Sequence, residues 1–303
     1  MVANKSGKII LNNIYVVIFL LALTTNVHAS NAKPILPALN STHTGKSIPG
    51  KFTWFELATV DLRKQKLFYG HVFGWSFQTI SNTDEQYTLI KNGGRNIAGM
   101  FSVEPREDAT LGALWIGLMS VKDPAKASKA VEKAGGSVHT SPRKVAKRGT
   151  YALFRDPEGA LFGVLKSDSG DPPDMKIGMG DFLWMDLFAR DLDHSAQFYQ
   201  KLADYEIETR ELAKGGQRLI LNVSDKARAG IVPLSDNANR SGWLPYVKVA
   251  DVPATIKKIK AAGGHIMVPP DKDLLSGNLA IFTDPMGGIM GIVKWAEPEQ
   301  ENN

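Results

Sequence analysis

"FTWFELATVDLRKQKLFYGHVFGW" runs from Phe52 to Trp75, and "FLWMDLFARDLDHSAQFYQKLADY" from Phe182 to Tyr205. These two stretches decide the fold. Phe52 matches Phe182, Trp54 matches Trp184, Asp61 matches Asp191, and Phe68-Tyr69 matches Phe198-Tyr199, all 130 residues apart. Further on, Trp115 matches Trp243, the "AGG" at 134–136 matches that at 262–264, and Asp156-Pro157 matches Asp284-Pro285, now 128 apart. A period that holds with a small drift is an internal repeat with loop insertions and deletions. Each stretch also carries an acid, Glu56 or Asp186, two residues after a Trp inside an apolar run.

Each repeat divides again. "FTWFELATV" alternates and is rich in aromatics, which predicts a strand. Asp61 can N-cap a helix that Gly74 ends. "WSFQTI", "QYTLIK" and "NIAGMFSV" follow as three short strands. The order then restarts with "ALWIGLMSV", a helix opened by Asp123-Pro124, and the strands "SVHTSP", "GTYALFRD" and "ALFGVLK". "DPEG" and its counterpart "DPMG" read as plain hairpin turns. The chain is therefore four βαβββ units, an α+β architecture with two units per domain.

The ends and joints differ in composition. Lys5 and Lys8 precede an unbroken apolar run from Ile14 to Leu23, and Val27 and Ala29 stand at small-residue cleavage positions. That pattern is a secretory signal peptide, and ten apolar residues are short for a membrane span. Boundaries follow: signal peptide 1–29, linker 30–50, first domain 51–167, linker 168–180, second domain 181–296 and a polar tail 297–303. The 303 residues carry a net charge of +5, or +3 once residues 1–29 are removed, and no cysteine. Disulfides, thiolate chemistry and cysteine metal sites are excluded. The densest basic stretch, "RKVAKR" at 143–148, reads as a solvated hairpin loop. A nucleic-acid partner is not expected. The expected location is periplasmic or secreted, with no stable membrane anchor after cleavage.

The strand followed by "DL" and a helix with "FY", the "AGG" helix end, and the "DP-x-G" hairpin together resemble the vicinal oxygen chelate superfamily of glyoxalases, extradiol dioxygenases and bleomycin-resistance proteins. The resemblance spans nearly all of 52–295, twice. It implies that paired βαβββ units form a cleft. In metal-dependent members it also implies His, Glu or Gln ligands on the first and last strands of both units. The matching positions here are Trp54 and Trp184, Ile116 and Leu244, and Gly163 and Gly291. The fourth falls within "NIAGMFSV" or "RAGIVPL". A two-residue shift of register would bring in Glu56 or Asp186, but one carboxylate does not make a metal site. The expectation is no metal cofactor.

Alternation places Trp54, Glu56 and Ala58 on the cleft face of one domain and Trp184, Asp186 and Phe188 on that of the other. An acid against a Trp in an apolar cleft has its pKa raised by desolvation. Glu56 and Asp186 are thus candidate catalytic acids or bases. Equally, they can be structural acceptors, for instance of Arg95. Trp54, Trp184, Phe188, Tyr246 and Lys248 are candidate ligand-binding residues. Lys248 also suits an exposed position. Tyr69, Tyr199, Trp115 and Trp243 read as core. The expected function is binding of a small organic molecule in a metal-free cleft by a monomer or homodimer. The alternatives are a lyase or dioxygenase of this superfamily with displaced ligands, or a non-catalytic interaction module.

Overall fold

The computed structural model describes residues 35–80, 87–105, 111–212, 215–235, 238 and 240–295. The expected signal peptide and its cleavage site, and the tail, lie outside the described residues. The first domain runs β1 (Phe52–Thr59), α1 (Leu62–Phe73), β2 (Ser76–Ile80), β3 (Tyr87–Asn92), β4 (Arg95–Ser102), then β5 (Ala113–Ser120), α2 (Pro124–Lys133), β6 (Ser137–Val145), β7 (Gly149–Arg155) and β8 (Leu161–Ser167). The second repeats it: β9 (Phe182–Ala189), α3 (Leu192–Gln200), β10 (Glu206–Glu211), β11 (Gln217–Val223), β12 (Lys226–Pro233), β13 (Gly242–Lys248), α4 (Val252–Ala261), β14 (His265–Val268), β15 (Leu279–Thr283) and β16 (Ile289–Val293).

Local signals set the element ends. Asp61 accepts from Lys64 N at the start of α1, and Gly74 closes that helix at φ 73°. Asp123, Asp191 and Asp251 cap the other three helices. Each cap satisfies a backbone N–H that has no partner within its helix.

Within a domain the two units join through their first strands. β1 pairs antiparallel with β5, and β9 with β13. The result is one eight-stranded sheet per domain, ordered β2-β3-β4-β1-β5-β8-β7-β6 and β10-β11-β12-β9-β13-β16-β15-β14. The helix-bearing faces of both sheets share one apolar core. Phe55 stacks on Phe182 with ring centroids 3.9 Å apart, and Phe52 meets Trp243 edge-on at 5.0 Å. The opposite faces carry separate clusters, one per domain. The two clefts therefore back onto a common core and open away from each other.

The "DP-x-G" turns do more than close hairpins. Asp156 accepts from Tyr199 Oη at 3.0 Å, and Asp284 accepts from Tyr69 Oη at 2.8 Å, each across the domain boundary. Trp243 Nε1 and Trp115 Nε1 donate to those same hydroxyls at 2.8 and 2.7 Å. Glu158 accepts from the backbone of Arg190 and Asp191 at 2.8 Å each. Tyr69 and Tyr199 are core residues, as expected, and their hydroxyls also dock the domains.

The segments flanking the domains are clasped to them. Asp174 pairs with Lys51, Lys226 and Arg228. Asp171 accepts from Ile48 N and Ser120 Oγ, both at 2.5 Å. Ahead of β1, Ile35 bridges Ala146, and Leu36 and Leu39 pack onto the first cleft.

Candidate functional site

Period-two alternation on β1 sends Phe55 and Leu57 into the shared core and Trp54 onto the cleft face. Glu56 follows Trp54 on that face. Trp54 Nε1 donates to Glu56 Oε1 at 2.8 Å. Tyr87 Oη, from β3, donates to Oε1 at 2.8 Å and to Oε2 at 3.1 Å. The register partner of Glu56 on β4 is Gly99. A Cβ there would collide with the Tyr87 hydroxyl and the Glu56 carboxylate, so the glycine makes room for the bonded pair. Burial lifts Glu56 to about 7, against the lowering pulls of Arg148, Tyr87 and Trp54.

"RKVAKR" turns the expected hairpin with Arg143, Lys144 and Lys147 exposed, and Arg148 alone departs from the solvated reading. The turn is tight: Lys147 sits at φ 65° and Gly149 at φ 136°, where any Cβ would run into the Lys166 carbonyl. That turn aims Arg148 inward. Its side chain is 3% exposed, and its guanidinium lies 4.0 Å from the centre of the Trp54 ring.

The second cleft repeats the acid–indole pair with different support. Trp184 Nε1 donates to Asp186 Oδ1 at 2.7 Å, and Arg218 Nη2, from β11, bonds the same oxygen at 2.9 Å. Tyr246 on β13 also contributes a hydrogen bond to this acid. Gly230 faces Asp186 as Gly99 faces Glu56, and its missing Cβ leaves space for Asp186 and Arg218. Burial raises the Asp186 pKa, with Arg218 the main opposing influence. Two residues beyond Asp186 on β9, Phe188 lines an open cavity of about 830 Å³, the solvent at its mouth included. Its walls include Phe188, Leu244, Met267 and Ile281 from the second domain, and Leu114 and Trp115 from the first.

Of the expected site residues, Trp54, Glu56, Trp184 and Asp186 form the two acid–indole pairs, and Phe188 lines the cavity. Tyr246 backs Asp186. Lys248 is corrected on its exposure: it is buried, 5% exposed, and donates to the Ile177 carbonyl at 3.2 Å. Arg95 pairs with Asp181 at 2.7 Å and does not hold either acid. Tyr87, Arg148 and Arg218 were missed. They come from other strands and loops, and no local spacing ties them to β1 or β9.

The residues do not fit the metal centre that the fold implies. Glu56 is opposed across the strands by Ile116 and Gly99, and Asp186 by Leu244 and Gly230. The last-strand positions, Gly163 and Gly291, have their Cβ space taken by the side chains of Leu118 and Tyr246. A ligating side chain there would require repacking. Among the described residues no group of three or more His, Asp or Glu side chains could hold an ion.

Comparison with known proteins agrees with this architecture. The model of the Glyoxalase/Bleomycin resistance protein/Dioxygenase superfamily matches residues 51–164 and 181–290. CFP32 of Mycobacterium tuberculosis (strain CDC 1551 / Oshkosh), a provisional glyoxylase by its name, is 24% identical over 253 residues, covering 83% of this chain and 97% of its own. The anthracycline biosynthesis protein DauV of Streptomyces sp. (strain C5) is 27% identical over 263 residues, covering 82% and 94%. The Mn(II)-bound glyoxalase from Novosphingobium aromaticivorans superposes with a TM-score of 0.56 at 16% identity, covering 83% of this chain and 84% of that one. The 2,3-dioxygenase LapB from Pseudomonas sp. KL28 does so at 0.55 and 12%, covering 85% and 96%. At those identities the structural likeness shows the fold alone.

Proposed function

Because the chain belongs to the Glyoxalase/Bleomycin resistance protein/Dioxygenase superfamily, we propose that it uses the superfamily's cleft to bind a small, largely apolar organic molecule without a metal ion. The observation that carries this reading is the cavity of the second cleft. It is walled by Phe188, Leu244, Met267, Ile281 and Trp115, while Asp186 beside it is already neutralised by Arg218. Concave, mainly apolar cavities with few polar groups are the usual form of small-molecule sites. The Streptomyces relative is named for anthracycline biosynthesis, and a fused aromatic ring system suits walls of this character.

Export belongs to the same proposal. The basic start, the apolar run 14–23 and the small residues before position 30 support it, and N-terminal sequencing of the protein from its native host should find the chain starting near Ser30.

A second reading, acid–base catalysis, is favoured by Glu56, which at about 7 is poised to give or take a proton near neutral pH. One experiment addresses the main reading. The purified chain is titrated with alizarin, a hydroxyanthraquinone, with and without chelator, and tryptophan fluorescence is followed. Saturable quenching that chelator leaves unchanged, and that Phe188→Ala weakens about tenfold, the scale of one lost aromatic contact, is the expected result. Binding that chelator abolishes, or that ignores Phe188→Ala, rejects the proposal.

A further inference from the structure

Arg148 stands out among the charged groups of the molecule. It is the buried cation of the first cleft, and none of its three guanidinium nitrogens meets a hydrogen-bond acceptor. A buried charge without a partner is costly, and folded chains retain one only where something compensates it. Glu56 acts on it electrostatically but forms neither a hydrogen bond nor an ion pair with it. The two oxygens of Glu56 are engaged by Trp54 and Tyr87 instead. The second cleft has no counterpart. The repeat position there is Ser276, and the buried cations of that cleft already have partners, Arg218 in Asp186 and Lys248 in the Ile177 carbonyl.

We propose that the first cleft is a binding site for a small organic monocarboxylate, with Arg148 as the residue that reads the carboxylate. The guanidinium is a flat fork of N–H donors that matches a carboxylate in two parallel bonds. Its packing against the Trp54 ring holds that fork in place before any ligand arrives. The body of the ligand is apolar, because Leu89, Ile116, Leu118, Leu153 and Leu165 line the same cluster. A singly charged anion is favoured over a phosphate dianion, because Glu56 adds like charge nearby. The way in lies under Leu36, which is 8% exposed and covers the cluster. The chain is tied down on both sides of it, at Ile35 before it and at Asn40 and Thr44 after it. Ile35 bridges Ala146, and Asn40 donates to the Gly170 carbonyl at 2.8 Å. The inference concerns a different cleft from the cavity discussed above and a different ligand chemistry, so either can fail alone.

The test is a calorimetric titration of the full chain with benzoate, its neutral analogue benzamide, and inorganic phosphate. Benzoate should bind at one site, with benzamide and phosphate each at least about tenfold weaker, the scale of a lost charge-assisted pair. Arg148→Gln should lose that preference and keep alizarin binding in the second cleft. Arg148→Lys should retain part of it, since the charge stays and the fork goes. Leu36→Ala should tighten benzoate by loosening the cover. Equal binding of benzoate and benzamide by the unaltered protein overturns the proposal, and that comparison requires no variant to fold. Phosphate binding tighter than benzoate, or Arg148→Gln binding benzoate as well as the parent does, also overturns it.

Discussion

The two clefts start from the same device and end differently. In both, a tryptophan two residues before an acid on the first strand donates its indole N–H to that acid, at 2.8 Å in one and 2.7 Å in the other. Around that pair the domains diverge. In the second cleft the neighbouring strand supplies Arg218, which neutralises Asp186 within the sheet. In the first, the same strand position holds Tyr87, and the cation arrives from a loop, stacks on the indole and bonds to nothing. In the second cleft the acid and its arginine satisfy each other, and what remains open is an apolar cavity. In the first the guanidinium has no hydrogen-bonded partner, and the partner proposed for it is an anion. A matching acid–indole pair therefore says little about which ligand a cleft takes. The placement of the cation decides it.

The comparison can be broken by mutation. The largest effect should come from Arg218→Met, which strands Asp186 as a buried carboxylate without its cation. Removing one member of such a pair costs about 3–5 kcal/mol, read as a lower midpoint in urea unfolding. A stability within error of the parent would mean the pair is not the organising contact of the second cleft.

The acid of the first cleft should show itself through pH. Glu56 titrates near 7 in the folded chain and near 4.5 when unfolded. Its folded pKa is raised, so the stability that it contributes is fully present below pH 4.5 and is lost as pH rises through about 7. The loss is up to about 3 kcal/mol, at roughly 1.4 kcal/mol per pKa unit. Glu56→Gln, a mimic of the protonated acid, should flatten that decline. The difference between the two pH profiles isolates Glu56 from Asp156, which burial also lifts, to about 6. Parallel profiles would show that the carboxylate stays ionised throughout.

The smallest effect should be that of Arg148→Met. Its guanidinium has no partner to strand, so the variant should stay within about 1 kcal/mol of the parent or exceed it. A loss as large as that of Arg218→Met would place the two arginines in equivalent roles and erase the contrast between the clefts.

Much of the scaffold was legible because its signals are local. Asp61, Gly74 and Asp123-Pro124 mark helix ends through contacts within a few residues. Period-two alternation put Trp54 and Glu56 on one face and Phe55 and Leu57 on the other, and the packing clusters agree. The partners of the acids were not legible. Alternation gives the face of a side chain, not its neighbour across the sheet. Tyr87 and Arg218 meet their acids through β4 and β12, which intervene in the sheet. The direction of Arg148 depends on one left-handed residue, Lys147, and on the crowded carbonyl beside Gly149. Lys248 read as an exposed strand end because nothing local announces that residue 177 folds back onto it. The docking role of Asp156 and Asp284 was hidden for a similar reason, since a DP-x-G sequence is sufficiently explained by its own hairpin.

That docking is reciprocal. What Tyr69 gives to Asp284 on the other half, Tyr199 gives back to Asp156. Such an exchange is the self-complementary contact of a twofold dimer, here written into one polypeptide. Each half completes the other's core, so cutting the chain between them should leave two fragments that elute together in size-exclusion chromatography. The arrangement also separates two kinds of constraint. Residues at the seam, such as Tyr69 with Asp284, are each held by a partner in the opposite half. On the far side of each sheet the acids answer to partners in their own half, Glu56 to Trp54 and Tyr87 and Asp186 to Trp184 and Arg218. A duplicated architecture of this kind can hold its shape while one copy specialises, and the unequal surroundings of Glu56 and Asp186 are what that freedom looks like in a single molecule.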